Sequence, residues 1–191
     1  MKKHAALFAL ILAVLACLVC FSACAEEETT VLMYMCGADI QEDACWDIYE
    51  MALAETNKHV NLVLLAGGAE EWEFDELRGG TRNLAVIRDG DFEFVKNWGE
   101  GSMGSEKSLL KFLKYGMTEY PANRMIVILW NHGAGSEGGI CFDEMADEDG
   151  LTLVEINSAL YDLDEELGGF HIDVFGCDAC MMATYEMAAM L

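Results

Sequence analysis

Residues 125–130, Met-Ile-Val-Ile-Leu-Trp, form an apolar run with no polar break. A strand of that composition has no solvent face, so it belongs inside a parallel sheet covered on both sides. Residues 30–35 and 60–65 are similar runs closed by Gly37 and by Gly67-Gly68, and residues 172–175 supply a fourth. Helical patterns separate them. Residues 41–56 place Trp46, Tyr49, Ala52 and Leu53 on one stripe, with Asp39 and Glu42 as a capping pair. Residues 105–120 carry Leu109, Leu110, Phe112 and Leu113 on another. Thr152-Leu-Val-Glu155 is a capping box opening a helix to about Glu166, and residues 179–191 read as a last helix. Residues 83–88 and 92–95, joined across Asp89-Gly90, predict a β-hairpin. Strands alternating with helices give the α/β class with right-handed crossovers.

The chain has 191 residues and is 53% apolar, enough for one core. Its formal charge of −23 excludes ordinary nucleic-acid binding, because a phosphate backbone would be repelled. An anionic surface suits cationic partners, including Lys- or Arg-rich peptides, and equally serves solubility alone. Residues 1–25 form a secretory leader: Lys2 and Lys3, an apolar run from Ala5 to Phe21, then small residues before Glu26. Ala23-Cys24-Ala25 fits cleavage after Ala25. The competing reading is a lipoprotein box in which Cys24 is lipidated, so the product is either secreted or held at the cell envelope by that anchor. Removing the leader takes two lysines with it and lowers the charge from −23 to −25. Cys36, Cys45, Cys141, Cys177 and Cys180 remain, an odd number that leaves at least one thiol unpaired.

In a parallel sheet, reactive groups gather beyond the carboxyl ends of the strands. His132 follows the strand at 125–130, in Asn131-His132-Gly133-Ala134-Gly135, and Cys180 follows the strand at 172–175, in Gly176-Cys177-Asp178-Ala179-Cys180. If those strands are neighbours, both side chains emerge at one edge. A thiol at the start of a helix is biased toward thiolate by the macrodipole, and an imidazole nearby can protonate a leaving amine. Gly133 lets a backbone N–H approach a carbonyl oxygen. With the Cys180 N–H it forms an oxyanion hole, each donor worth roughly 3 to 4 kcal/mol. That set performs acyl transfer from an amide. Taken singly, such a His or Cys is more often structural; their matched positions carry the inference.

The Trp130-Asn-His-Gly-Ala-Gly135 run, the Asp178-Ala-Cys-Met-Met182 run and the opening Tyr34-Met-Cys-Gly-Ala-Asp39 together resemble the clostripain family of cysteine peptidases, grouped with caspases, legumains and gingipains. The resemblance implies a caspase-like α/β/α sandwich with a mostly parallel sheet and a small β-hairpin insertion, residues 26–191 being its N-terminal part. It also implies that His132 is the general acid/base, Cys180 the nucleophile and Gly133 an oxyanion donor. Asp178 would line the S1 pocket, pairing with a P1 Arg or Lys of a peptide or protein substrate. A helix N-cap is the other reading of Asp178. The family's sheet continues beyond the nucleophile, so the chain is expected to be a fragment ending in its last helix, with the dyad but without a complete, active pocket.

Residues 141–150 contain no Lys or Arg, so self-cleavage at a basic residue is not expected there. Their acids, Asp143, Glu144, Asp147, Glu148 and Asp149, lack the ligand spacing of a calcium loop and read as a solvated segment, so no cofactor is expected. Cys177-x-x-Cys180 leaves thiol–disulfide exchange as an alternative, and an inactive exported binding relative is another. His59 and His171 stand at the starts of strands, the wrong end of the sheet for a rival base.

Overall fold

The computed structural model describes residues 28–54 and 58–191. The leader and the C-terminal end of the first helical pattern therefore lie outside the described residues. The elements run β1 (Thr29–Cys36), a 3-10 turn (Ala38–Ile40), α1 (Gln41–Leu53), β2 (Val60–Gly67), β3 (Asn83–Arg88), β4 (Asp91–Asn97) and α2 (Glu106–Glu119). They continue with β5 (Arg124–Trp130), the single turn α3 (Gly135–Gly138), β6 (Ile140–Asp143), β7 (Asp149–Leu151), α4 (Leu153–Leu167), β8 (Val174–Asp178) and α5 (Tyr185–Met190).

Six strands form one sheet in the order β4-β3-β2-β1-β5-β8. β1 lies at its centre, parallel to β2 on one side and to β5 on the other, with Leu32 opposite both Val63 and Val127. β8 runs parallel to β5 at the sheet edge, whereas β3 and β4 are antiparallel. The β3–β4 turn is the expected Asp89-Gly90, both residues at positive φ (52° and 84°), as a type I′ hairpin requires.

Period-two alternation divides the sheet's side chains between two layers. Leu32, Tyr34, Val63, Leu65, Val127 and Leu129 face α2 and α4, where Leu109, Phe112, Leu113, Ile156 and Leu163 bury with them. Met35, Leu64, Ala66 and Trp130 face α1 through Ala44 and Ile48. Each fully buried aliphatic side chain contributes about 1.5–3 kcal/mol, so the two layers hold the sheet from both sides. This is the α/β/α sandwich with a mostly parallel sheet.

Several local expectations need correction. A 3.6-residue period fits two stripes of α1, and the inward one is Ala44, Cys45 and Ile48. Trp46, Tyr49 and Leu53 are exposed, the first two packing edge-on at 6.4 Å. Asp39 and Glu42 do not cap α1, whose N-cap is Ile40 without a side-chain bond. The Thr152–Glu155 capping box is present at the start of α4. The acidic segment is an antiparallel hairpin of β6 and β7. Glu144, Asp147, Glu148 and Asp149 are solvated, but Asp143 is only 1% exposed and accepts the Met103 and Met145 N–H groups at 2.7 and 2.9 Å. A buried carboxylate there is stabilised by those donors and braces the loop before α2.

Candidate functional site

Parallel pairing of β5 with β8 sets Trp130 opposite Asp178, and the Asn131 N–H continues toward the Asp178 carbonyl at 3.4 Å. Both chains therefore leave the sheet side by side at its carboxyl edge. His132 and Gly133 follow the first strand, Ala179 and Cys180 the second. His59 and His171 precede β2 and β8 at the opposite end, as expected.

Gly133 joins the two loops. A Cβ placed on it would stand 2.3 Å from the Cys180 carbonyl oxygen and 2.8 Å from the Cγ of Met182. Only hydrogen fits there. Gly133 also forms an antiparallel bridge with Ile140, closed by its neighbours: Cys141 N–H to His132 O at 3.3 Å and Ala134 N–H to Gly139 O at 2.9 Å. Among the described residues the Gly133 N–H itself has no acceptor.

Asn131 fixes the base of this loop. It is buried, its Nδ2 donates to the Cys36 carbonyl at 2.8 Å, and its Oδ1 accepts the Phe142 N–H at 2.9 Å. The ends of β1, β5 and β6 are thereby tied through one amide. His132 is about half exposed, and its Nε2 lies 3.1 and 3.3 Å from the two carboxylate oxygens of Asp39, on the 3-10 turn after β1. Asp39, which the sequence pattern pairs with Glu42 as a helix cap, instead meets His132 from 93 positions away, a separation that no local pattern reveals.

Cys180 is exposed, but not at a helix N-terminus. The expected helix over 179–191 begins only at Tyr185, because the Thr184 hydroxyl caps it by accepting the Met187 N–H. Residues 179–184 form a turn in which Met181 has φ of 59° and Met182 is buried. Macrodipole assistance to the thiol is therefore absent, and so is the N-cap role for Asp178. Asp178 is exposed at the end of β8. On the α1 side stands Asp47, whose carboxyl is pushed up by burial and by the charges of Asp178 and nearby acids, against a hydrogen bond donated by the Trp130 indole at 2.7 Å.

The other thiols differ in kind. Cys177 is a partly buried strand residue whose thiol burial pushes up to about 11. Cys36 and Cys141 are buried and raised for the same reason. No disulfide links the described cysteines, and no group of three or more His, Cys, Asp or Glu among the described residues is arranged to hold a metal ion. A cavity of ≈ 230 Å³ lined by Met125, His171 and Asp173 lies at the far end of the sheet, away from His132 and Cys180.

The sequence model of the clostripain family matches residues 33–191. Clostripain of Hathewaya histolytica is 27% identical over 194 residues, covering 85% of this chain and 36% of that protein. A secreted C11 cysteine protease from Bacteroides thetaiotaomicron, solved with an irreversible peptide inhibitor, superposes with a TM-score of 0.68 at 19% identity, covering 87% of this chain and 46% of the other. An inactive zymogen C11 protease from Parabacteroides distasonis gives a TM-score of 0.62 at 17% identity over the same shares. At these identities the structures show a shared fold. The chain spans about a third of the length of the curated relative and just under half of these two structures.

Proposed function

The chain belongs to the clostripain family, and on that footing we propose that it carries the catalytic dyad of an exported cysteine endopeptidase that cleaves after Arg or Lys. The observation that carries this reading is the close approach of Gly133 to the Cys180 backbone, which brings the imidazole-bearing loop and the thiol-bearing loop to one edge.

The chemistry follows from the residues. Cys180 Sγ attacks the scissile carbonyl carbon while His132 takes the thiol proton. The carbonyl π electrons move to oxygen, where the Gly133 and Cys180 N–H groups receive the negative charge. Collapse breaks the C–N bond, and His132 returns the proton to the leaving amine. Water then attacks the acyl-enzyme, gives its proton to His132, and releases the acid with the thiol restored. Asp178 supplies a carboxylate for a basic P1 side chain, in keeping with the chain's −23 charge. The leader over residues 1–25 supports export, by secretion or through a lipid on Cys24. Against disulfide exchange stands Cys177, a partly buried strand residue whose thiol burial pushes up to about 11, away from the thiolate that exchange needs.

The test compares Cys180→Ala with Cys177→Ala, each made in the full-length gene product, in a fluorogenic assay on peptides with Arg or Lys at P1. The proposal requires the first substitution to abolish turnover and the second to spare most of it. Equal dependence on both thiols, with reduction of insulin disulfides, would establish the redox alternative instead.

A further inference from the structure

We propose that Asp39 is the positioning residue for His132, fixing the imidazole tautomer so that Nδ1, not Nε2, handles the proton of Cys180. The inference rests on the dyad proposed above and names how it is organised. A carboxylate can only accept, so an Nε2 held 3.1 Å from Asp39 Oδ1 must carry the hydrogen. The neutral ring then presents its lone pair at Nδ1. Among the described residues Nδ1 has no partner, which leaves it open to the thiol. When Nδ1 takes the proton, the imidazolium forms against the Asp39 charge, so the contact strengthens as the reaction proceeds.

The fold keeps Asp39 in this place by means independent of the His132 contact. Asp39 lies three residues beyond Cys36, whose carbonyl is held by Asn131, the residue immediately before His132. The chain turns sharply between them: the Gly37 N–H donates to the Gly67 carbonyl at 2.7 Å, and Ala38 adopts φ of 40°. A Cβ on Gly37 would stand 2.6 Å from the Trp72 ring, so the turn is pressed against the α1 layer. One amide thus sets the spacing between the carboxylate and the imidazole. Asp39 makes no bond that caps α1, so its interaction with His132 is its one directed contact among the described residues.

Asp39 and His132 are each about half exposed, so solvent screens their attraction and a modest effect is expected. The experiment places ¹⁵N-histidine in the full-length gene product and reads the His132 ring nitrogens by NMR at pH 8, alongside steady-state kinetics, for the native protein, Asp39→Ala and Asp39→Asn. Native His132 is expected as the Nε2–H tautomer. Asp39→Ala mixes the tautomers and lowers kcat between about 10- and 100-fold with KM within about twofold. Asp39→Asn, which still accepts but lacks charge, keeps the tautomer and falls between the two in kcat. A native Nδ1–H tautomer overturns the proposal, as does an Asp39→Ala protein with unchanged ring signals and unchanged kcat. If the native full-length product shows no peptidase turnover, the proposed activity fails while the ring signals still decide the role of Asp39.

Discussion

Gly133 lies so close to Cys180 that a methyl group on its Cα would stand 2.3 Å from the Cys180 carbonyl oxygen. Two loops separated by about a quarter of the chain are thus in backbone contact, and the glycine is what lets them meet. The contact joins a backbone donor without a partner among the described residues to the turn that carries an exposed thiol.

Gly133→Ala forces that contact apart. Both sides of it are backbone, so neither gives way easily, and overpacking of this kind costs about 1–3 kcal/mol. Denaturant unfolding is expected to register that loss, and turnover to fall by about 100-fold or more as the proposed oxyanion donor moves. Unchanged stability and activity would mean that the loops are free to separate.

Asn131→Ala leaves the Cys36 carbonyl and the Phe142 N–H without their partner. Each buried orphan costs about 1–3 kcal/mol, so the unfolding midpoint is expected to drop clearly. Activity measured well below that midpoint falls as well, because the spacing of His132 from Asp39 depends on the same amide.

Asp178→Asn tests the pocket. If Asp178 makes the proposed charge-assisted contact, worth about 1.5–3 kcal/mol, its loss lowers kcat/KM for Arg and Lys peptides about 10- to 150-fold. Thermal unfolding is expected to stay put, because Asp178 is exposed and its side chain caps no helix. Equal kcat/KM values for the variant and the native protein would place basic-residue selection elsewhere.

Stability is expected to fall in alkali. Burial raises the thiols of Cys36, Cys141 and Cys177 above their ordinary value of 9.0, the last to about 11. Above pH 9 the unfolded chain loses those protons while the folded chain keeps them, so the unfolded state binds fewer and the slope of stability against pH is negative. The stabilisation is complete below about pH 9 and is lost as pH rises toward each folded value. Each buried thiol, Cys36 and Cys141, contributes at most about 1.4 kcal/mol per pH unit, and the partly exposed Cys177 less because solvent screens it. Unfolding midpoints from pH 7 to 10.5 check this, and Cys141→Ala is expected to reduce the slope.

The sheet was legible because period and composition act locally. The apolar run of β5, the Asp89-Gly90 turn and the Thr152–Glu155 box each carry their own physical instruction. Placement of His132 and Cys180 at one edge followed from the carboxyl-end rule once β5 and β8 paired. What stayed hidden was decided across the fold. The Asp39–His132 contact joins β1 to β5, so no local pattern announces it. The late start of α5 is hidden in the sequence because Ala and Met, which fill most of residues 179–184, favour helix, while the chain at Cys180 and Met182 is held by packing against Gly133. Asp143 lies in an acidic run that looks solvated, yet its two backbone donors come from either side of it in the folded chain.

The most direct test is covalent capture. The protein is treated at pH 7.5 with a peptide bearing a C-terminal arginyl ketone electrophile, and the adduct is located by peptide mass mapping. The account predicts one adduct, on Cys180, formed much more slowly when His132 is replaced by Ala and unaffected by Cys177→Ala. An adduct on Cys177, or labelling of Cys180 at the same rate without the imidazole, would contradict it.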